Sequence, residues 1–70
     1  MVIEPQDTVW FINNNRIQKG VVVEEEEYGV EGWYSLYRVQ TKYVPQVLED
    51  YRLFESKQEL VDEITADVLE

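Results

Sequence analysis

The sequence contains no cysteine and no histidine. Without cysteine, the chain has neither the disulfides that staple many small secreted domains nor the thiolate ligands of zinc modules, so its stability must come from packing. Without histidine, it lacks the commonest proton shuttle at neutral pH and the commonest metal ligand. These two absences exclude most classes of enzyme. We therefore expect a protein that is not an enzyme and that holds neither a cofactor nor a metal.

Glycine, proline and long apolar runs are also scarce. The three glycines and two prolines form neither a linker nor a phosphate-binding loop. No stretch approaches the run of about 18 apolar residues that a membrane-spanning helix needs, and no basic segment precedes an apolar one at the N-terminus. We expect no membrane association and a cytoplasmic location. A chain of 70 residues can fill one core, so residues 1–70 are expected to form a single domain.

Acidic residues dominate the charge. Fifteen acidic residues face six basic ones, which gives a formal net charge of −9. Such a field repels phosphate backbones and attracts cationic surfaces. The expected partner is therefore a basic protein, and direct binding to nucleic acid is not expected.

Before residue 55 the apolar residues are mostly β-branched or aromatic and occur in short runs, which predicts strands. The predicted strands are 8–12, 16–28, 33–39, 43–45 and 53–54, and 46–50 is predicted to be a loop or one helical turn. Asn13, Asn14 and Asn15 predict a tight turn between the first two strands, because asparagine tolerates positive φ. Gly20 predicts a bulge or bend in the long second strand.

The direction of the side chains is harder to predict. In the second strand Ile17, Val21 and Val23 share one face, which we expect to point inward, while Val22 points outward. In the third strand both faces carry apolar residues, so the buried face of 33–39 is ambiguous. We favour Tyr37 and Val39 as buried.

The C-terminal segment has the signature of a helix. Ser56 followed by Glu59 forms a capping box, in which each residue satisfies a free backbone N–H of the first turn. The apolar residues that follow fall within a sector of about 100°, the width of a core-facing stripe. These residues are Leu60, Val61, Ile64 and Val68. The sequence predicts a helix over 57–68.

The succession of these elements resembles a known group of proteins. The residues that carry the resemblance are Asp7-Thr8-Val9-Trp10-Phe11, Gly20-Val21, Tyr37-Arg38-Val39, Val44-Pro45 and Leu53-Phe54-x-Ser56-Lys57-x-Glu59-Leu60. They resemble small SH3-like (Src-homology-3-like) or Tudor-like β-barrel proteins of bacteria and phages. The resemblance implies a mainly β fold, with a small antiparallel barrel of about five strands over 8–54 and a C-terminal α-helix that caps it. It also implies binding of a peptide, protein or nucleic acid rather than catalysis.

Two features predict a binding surface. The nine aromatic residues are too many for the interior of so small a barrel, and those that flank the 29–32 turn are the best candidates for exposure. The glutamates at 24–27 lie next to this turn. They form a solvated segment, a patch for a partner or a metal site. The metal site is the least favoured of the three, because alternate side chains of a strand point to opposite faces. The predicted binding residues are Tyr28, Trp33, Tyr34, Glu24 and Glu26, and the alternative is that the aromatics only form the core and its rim.

Three functions are compatible with these features. The first is an acidic protein-interaction module that binds a basic or mixed-surface protein partner. The second is a phage-type inhibitor that mimics the charge of nucleic acid, for which binding would weaken steeply with salt. The third is a structural subunit of a homo-oligomer, in which exposed aromatics bury against another copy.

Overall fold

The computed structural model describes residues 2–28 and 34–68, which form a four-stranded antiparallel sheet, curled into a half-barrel, and one C-terminal helix. The strands are β1 (Thr8–Asn13), β2 (Arg16–Tyr28), β3 (Ser35–Gln40) and β4 (Gln46–Glu49). A single turn of 3-10 helix (Asp50–Arg52) follows, and then helix α1 (Lys57–Val68). Each strand pairs with its neighbour in the chain, in the order β1-β2-β3-β4. The fold is mainly β, as predicted.

A two-residue turn joins β1 and β2. Asn13 pairs with Arg16, and the two residues between them, Asn14 and Asn15, have φ of 53° and 61°. Positive φ at both central positions is the geometry of a type I′ turn, whose twist matches that of the flanking strands. The predicted turn is confirmed, and so are the predicted bounds of β2.

Two β-bulges interrupt the pairing of β2 with β3. The register shifts between Val22 and Glu24 and again between Glu25 and Glu27, so Val23 and Glu26 are the extra residues. The prediction of a bulge at Gly20 is wrong, because the ladder is regular there. Glycine is required at that position for another reason. The backbone of β2 lies so close to Val39 and Gln40 of β3 that a side chain would collide with them.

The N-terminal lead-in joins the sheet at the first bulge. Pro5 and Gln6 are the central residues of a turn in which the Asp7 N–H donates to the Glu4 carbonyl at 3.1 Å, and Gln6 has a φ of 78°. The N–H of Gln6 then donates to the carbonyl of Val22 at 2.8 Å, and the N–H of Val22 donates to the carbonyl of Asp7 at 2.9 Å. These bonds fix the lead-in beside the core.

The core lies on the concave side of the sheet. Its buried residues are Val9, Phe11, Val22, Val39, Leu48 and Leu53, and Ile3 and Tyr37 pack against them. The expectation that Val39 is buried is confirmed, while Tyr37 is half-buried.

The predicted inward face of β2 is wrong. Ile17, Val21 and Val23 are 39–40% exposed, whereas Val22 is fully buried. The register explains the difference, because Thr8 pairs with Val21 on the outer face, so the alternation places Val22 on the inner one.

The fourth strand lies later in the chain than predicted. Residues 43–45 form a turn that Thr41 organises, since its hydroxyl donates to the carbonyl of Val44 at 3.1 Å and accepts from the N–H of Tyr43 at 3.0 Å. The segment predicted as a loop contains β4 instead, where Leu48 pairs with Tyr37 and enters the core.

The predicted fifth strand consists of one bridge. Phe54 returns to the free edge of β1, where the backbone N–H of each of Trp10 and Phe54 donates to the carbonyl of the other at 2.8 Å. The described residues therefore contain four strands, not five. The sheet curls, and only this bridge begins to close it.

Helix α1 follows directly and has the predicted bounds. The Ser56 hydroxyl accepts the N–H of Glu59 at 3.1 Å, which is the expected cap. The helix lies against β1 and buries Leu60 to 3% exposure. Among the described residues, no helix has both the length and the apolar character needed to cross a membrane.

Candidate functional site

The structure places the two predicted glutamates beside a cation. Glu24 pairs with Arg38 across β2 and β3, and the Arg38 Nη2 donates to the Glu24 Oε1. The Nη1 of the same guanidinium lies 3.9 Å from the Glu26 Oε2. Both carboxylates thus have an intramolecular partner, so they are less available to another protein than the sequence suggested.

The predicted aromatic cluster is described only in part. Tyr34 is half-buried, and its ring meets that of Tyr51 edge to face, with centroids 5.8 Å apart. Tyr28 is the last residue of β2, and its backbone pairs with that of Ser35. Trp33 and the 29–32 turn lie outside the described residues. Tyr51, which is 68% exposed, is an aromatic residue that the sequence analysis did not single out.

Next to Tyr51 lies a cleft of about 500 Å³, here called the acidic cleft. It is lined by Val2, Ile3, Glu25, Tyr37, Asp50, Tyr51 and Leu53. It combines two carboxylates, two tyrosines and three aliphatic side chains. Such a mixture of apolar surface and a few polar groups is typical of binding sites.

The first bulge of β2 positions one carboxylate of the acidic cleft. After the extra residue Val23, Glu25 lies directly opposite Tyr37 of β3. Asp50 comes from the 3-10 turn, and its Oδ2 accepts the N–H of Ser35 at 3.3 Å. Side chains from two separate elements therefore line the acidic cleft together with Tyr37.

The tyrosine between these carboxylates has a perturbed acidity. Partial burial raises the pKa of the Tyr37 phenol, and the negative charges of Glu25 and Asp50 raise it further. Both causes disfavour the phenolate. The Tyr37 hydroxyl therefore keeps its proton to a higher pH than an ordinary tyrosine does.

A second depression, here called the cationic groove, occupies the outer face of β1 and β2. It has a volume of about 810 Å³. It is lined by Thr8, Trp10, Arg16, Ile17, Gln18, Lys19, Gly20, Val21, Gln40, Thr41, Lys42 and Tyr43. The sequence analysis did not predict it, because the net negative charge conceals a local cluster of basic residues.

Aromatic rings lie beneath two of these cations. The Lys19 Nζ lies 5.6 Å from the centroid of the Trp10 ring, and the Lys42 Nζ lies 5.2 Å from that of Tyr43. These are cation–π distances. The signal in the sequence was the pairing of a lysine with an aromatic residue, directly at 42–43 and, through the hairpin register, between Trp10 and Lys19.

Among the described residues, no group of three or more acidic side chains converges on one point. Comparison with protein-family models, curated proteins and solved structures found no match to this chain. Its function must therefore be inferred from the two surfaces themselves.

Proposed function

We propose that this protein is a small interaction module without catalytic activity, which binds a basic segment of a partner protein in the acidic cleft. The observation that carries the proposal is that Glu25, Asp50 and Tyr37 line one cleft together with aliphatic side chains. A lysine or arginine side chain has the matching chemistry, because its stem is apolar and its head is cationic.

The exposed tyrosine strengthens this assignment. Tyr51 is 68% exposed at the rim, where its ring can cover the stem of a basic side chain or lie against its cationic head. Tyrosine is among the residues most enriched at binding hot spots. Its edge-to-face contact with Tyr34 fixes the ring before a partner arrives, which lowers the entropy lost on binding.

The net charge supports the same partner class. A chain with a net charge of −9 attracts a basic surface from a distance and repels an acidic one. Long-range attraction accelerates encounter, while the acidic cleft supplies the local contacts. A cytoplasmic location is part of the proposal and fits a chain without cysteine.

The assignment to the SH3-like barrels is also part of the proposal. It is supported by the antiparallel meander and by Phe54, which returns to the free edge of β1 as the closing strand of a small barrel would. Membership of this group implies binding of a peptide, protein or nucleic acid, but the ligand must be argued from the site, because one fold hosts many functions.

The test is titration of a fluorescein-labelled peptide that contains two arginines and two lysines, with binding followed by fluorescence anisotropy. Tyr51→Ala should weaken binding about 30-fold, as loss of a hot-spot residue does. Glu25→Gln should weaken it about fivefold, because one of two carboxylates is neutralised. The matched control is Glu63→Gln, which removes the same charge from an exposed position on α1.

Other results would replace the proposal. Equal weakening by Glu25→Gln and Glu63→Gln would mean that the whole charge, and not the acidic cleft, attracts the peptide. A steep dependence on salt together with no effect of Tyr51→Ala would favour the nucleic-acid mimic. Sedimentation that shifts with protein concentration, and a Tyr51→Ala variant that is monomeric, would favour the homo-oligomer.

A further inference from the structure

Basic residues are concentrated in the cationic groove. It contains Arg16, Lys19 and Lys42, which are three of the six basic residues of the chain, and its lining includes no carboxylate. In a protein of net charge −9, this is a local reversal of sign. The acidic cleft and the cationic groove thus have opposite charge.

The cations of the groove differ in their surroundings from Arg38 and Arg52, which lie outside it. Arg38 is paired with Glu24 of β2, and Arg52, in the 3-10 turn, is paired with Glu49 of β4. Among the side chains that the structure describes, no carboxylate lies within ion-pair distance of the three cations in the groove. Lys19 and Lys42 are instead held over aromatic rings, which orients the ammonium groups and leaves them able to receive an anion.

Apolar residues flank the central cation with the period of a strand. Ile17, Lys19 and Val21 lie on the same outer face of β2, and both aliphatic side chains are 39% exposed. Alternate residues of a strand are spaced by about 6.8 Å. An extended peptide has the same spacing, so an acidic residue opposite Lys19 would place its neighbours at two-residue spacing opposite Ile17 and Val21.

We propose that the cationic groove is a second binding site, which takes a short extended segment of a partner protein in which an acidic residue is flanked at two-residue spacing by aliphatic residues. This site goes beyond the proposed function, since it is a different surface with a ligand of opposite charge. A single-stranded nucleic acid is the less favoured ligand. A nucleic acid carries one negative charge per nucleotide, so the field of the whole chain repels it more strongly than it repels a segment with a single acidic residue. The aliphatic side chains of Ile17 and Val21 would also have no counterpart in its backbone.

The test uses three labelled probes in low-salt buffer. The first is a peptide with the sequence Ser-Leu-Ser-Glu-Ser-Leu-Ser, the second has lysine in place of glutamate, and the third is a short oligothymidylate. We expect the glutamate peptide to bind and the lysine peptide not to bind. Lys19→Gln should weaken binding of the glutamate peptide about fivefold, and Tyr43→Ala should weaken it as well.

Lys57→Gln is the matched control, because it removes the same charge at an exposed position at the start of α1, outside the groove. The inference is overturned if Lys57→Gln weakens binding as much as Lys19→Gln does, or if the lysine peptide binds as well as the glutamate peptide. It is also overturned if oligothymidylate binds more tightly than the glutamate peptide and Lys19→Gln weakens the binding of oligothymidylate. Glu25→Gln should leave this binding unchanged, so failure here is distinguishable from failure of the acidic cleft.

Discussion

The two halves of β2 contrast with each other, although they belong to one continuous strand. From Arg16 to Val22 the strand pairs regularly with β1 and its lead-in, and its outer face is part of the cationic groove. Beyond Val22 it pairs with β3 through two bulges, and this half contains the glutamates at 24–27. A change of neighbour within one strand thus separates two surfaces of opposite charge.

The halves also differ in what holds them in place. The first half has Gly20 and Val22 against the core. In the described part of the second half, the cross-strand ion pairs join the exposed side chains of Glu24 and Glu26 to Arg38. Packing contributes more to stability than exposed ion pairs do. We therefore expect substitutions in the first half to change stability most, and those in the second to change mainly the surface.

The largest effect should come from Gly20→Ala. An added Cβ would overlap the Val39 Cγ1 and lie 2.8 Å from the carbonyl oxygen of Gln40, so either β3 or the strand itself must shift. The free energy of unfolding should fall by about 3 kcal/mol, at the upper end for overpacking. Urea denaturation followed by tryptophan fluorescence measures this. Val23→Ala, at the exposed extra residue of the first bulge, is the control and should change stability by less than about 0.5 kcal/mol.

An intermediate effect should come from Asn15→Val in the turn that sets the register of the first half. Asn15 has a φ of 61°, which a β-branched residue adopts only with strain. The expected loss is about 1–2 kcal/mol in the same urea titration. Asn15→Gly removes the strain and should be at least as stable as the parent. Equal stability of the valine and glycine variants would show that the turn does not determine the register.

The smallest effect should come from Arg38→Gln in the second half. The Arg38 side chain is 41% exposed and the Glu24 side chain 53%, so water and salt screen their attraction. We expect a loss of about 0.5 kcal/mol in low salt, and a smaller one in high salt. Were this loss as large as that of Gly20→Ala, the second half would be an equal source of stability and the contrast between the halves would be wrong.

Local signals account for the elements that the sequence predicted well. The asparagine turn, the bounds of β2 and the capped helix each depend on residues within a few positions of one another. Asn14 and Asn15 favour positive φ, and Ser56 caps the N–H of Glu59, whatever the rest of the chain does. Such elements can be read without knowledge of the tertiary fold.

The features that the sequence predicted wrongly depend on contacts between residues far apart in the chain. Both faces of β2 carry valine, so the buried one depends on which residues of β1 and β3 lie opposite. Likewise, Tyr43 and Val44 have high β-propensity, but the Thr41 hydroxyl turns the chain there and Pro45 has no N–H for a ladder. In both cases tertiary context overrode local preference.

The binding surfaces were predicted less well than the fold. The sequence indicated exposed aromatics beside glutamates, and the structure places Tyr51 beside Glu25 and Asp50, but Tyr51 and Tyr43 were not chosen. Their exposure depends on the 3-10 turn and on the turn at Thr41, which periodicity does not reveal. The cationic groove required the register of the hairpin, since residues far apart in sequence form it.

The single bridge between Trp10 and Phe54 has a consequence for the order of folding. Every strand pair of the sheet joins neighbours in the chain, whereas this bridge closes a long loop between its two residues. Contacts between residues far apart in sequence form late, because closing the loop between them costs conformational entropy before the contact contributes any favourable energy. The meander should therefore assemble first, and the arrival of Phe54 with the helix behind it should be the final step, and the first to reverse when the native state opens.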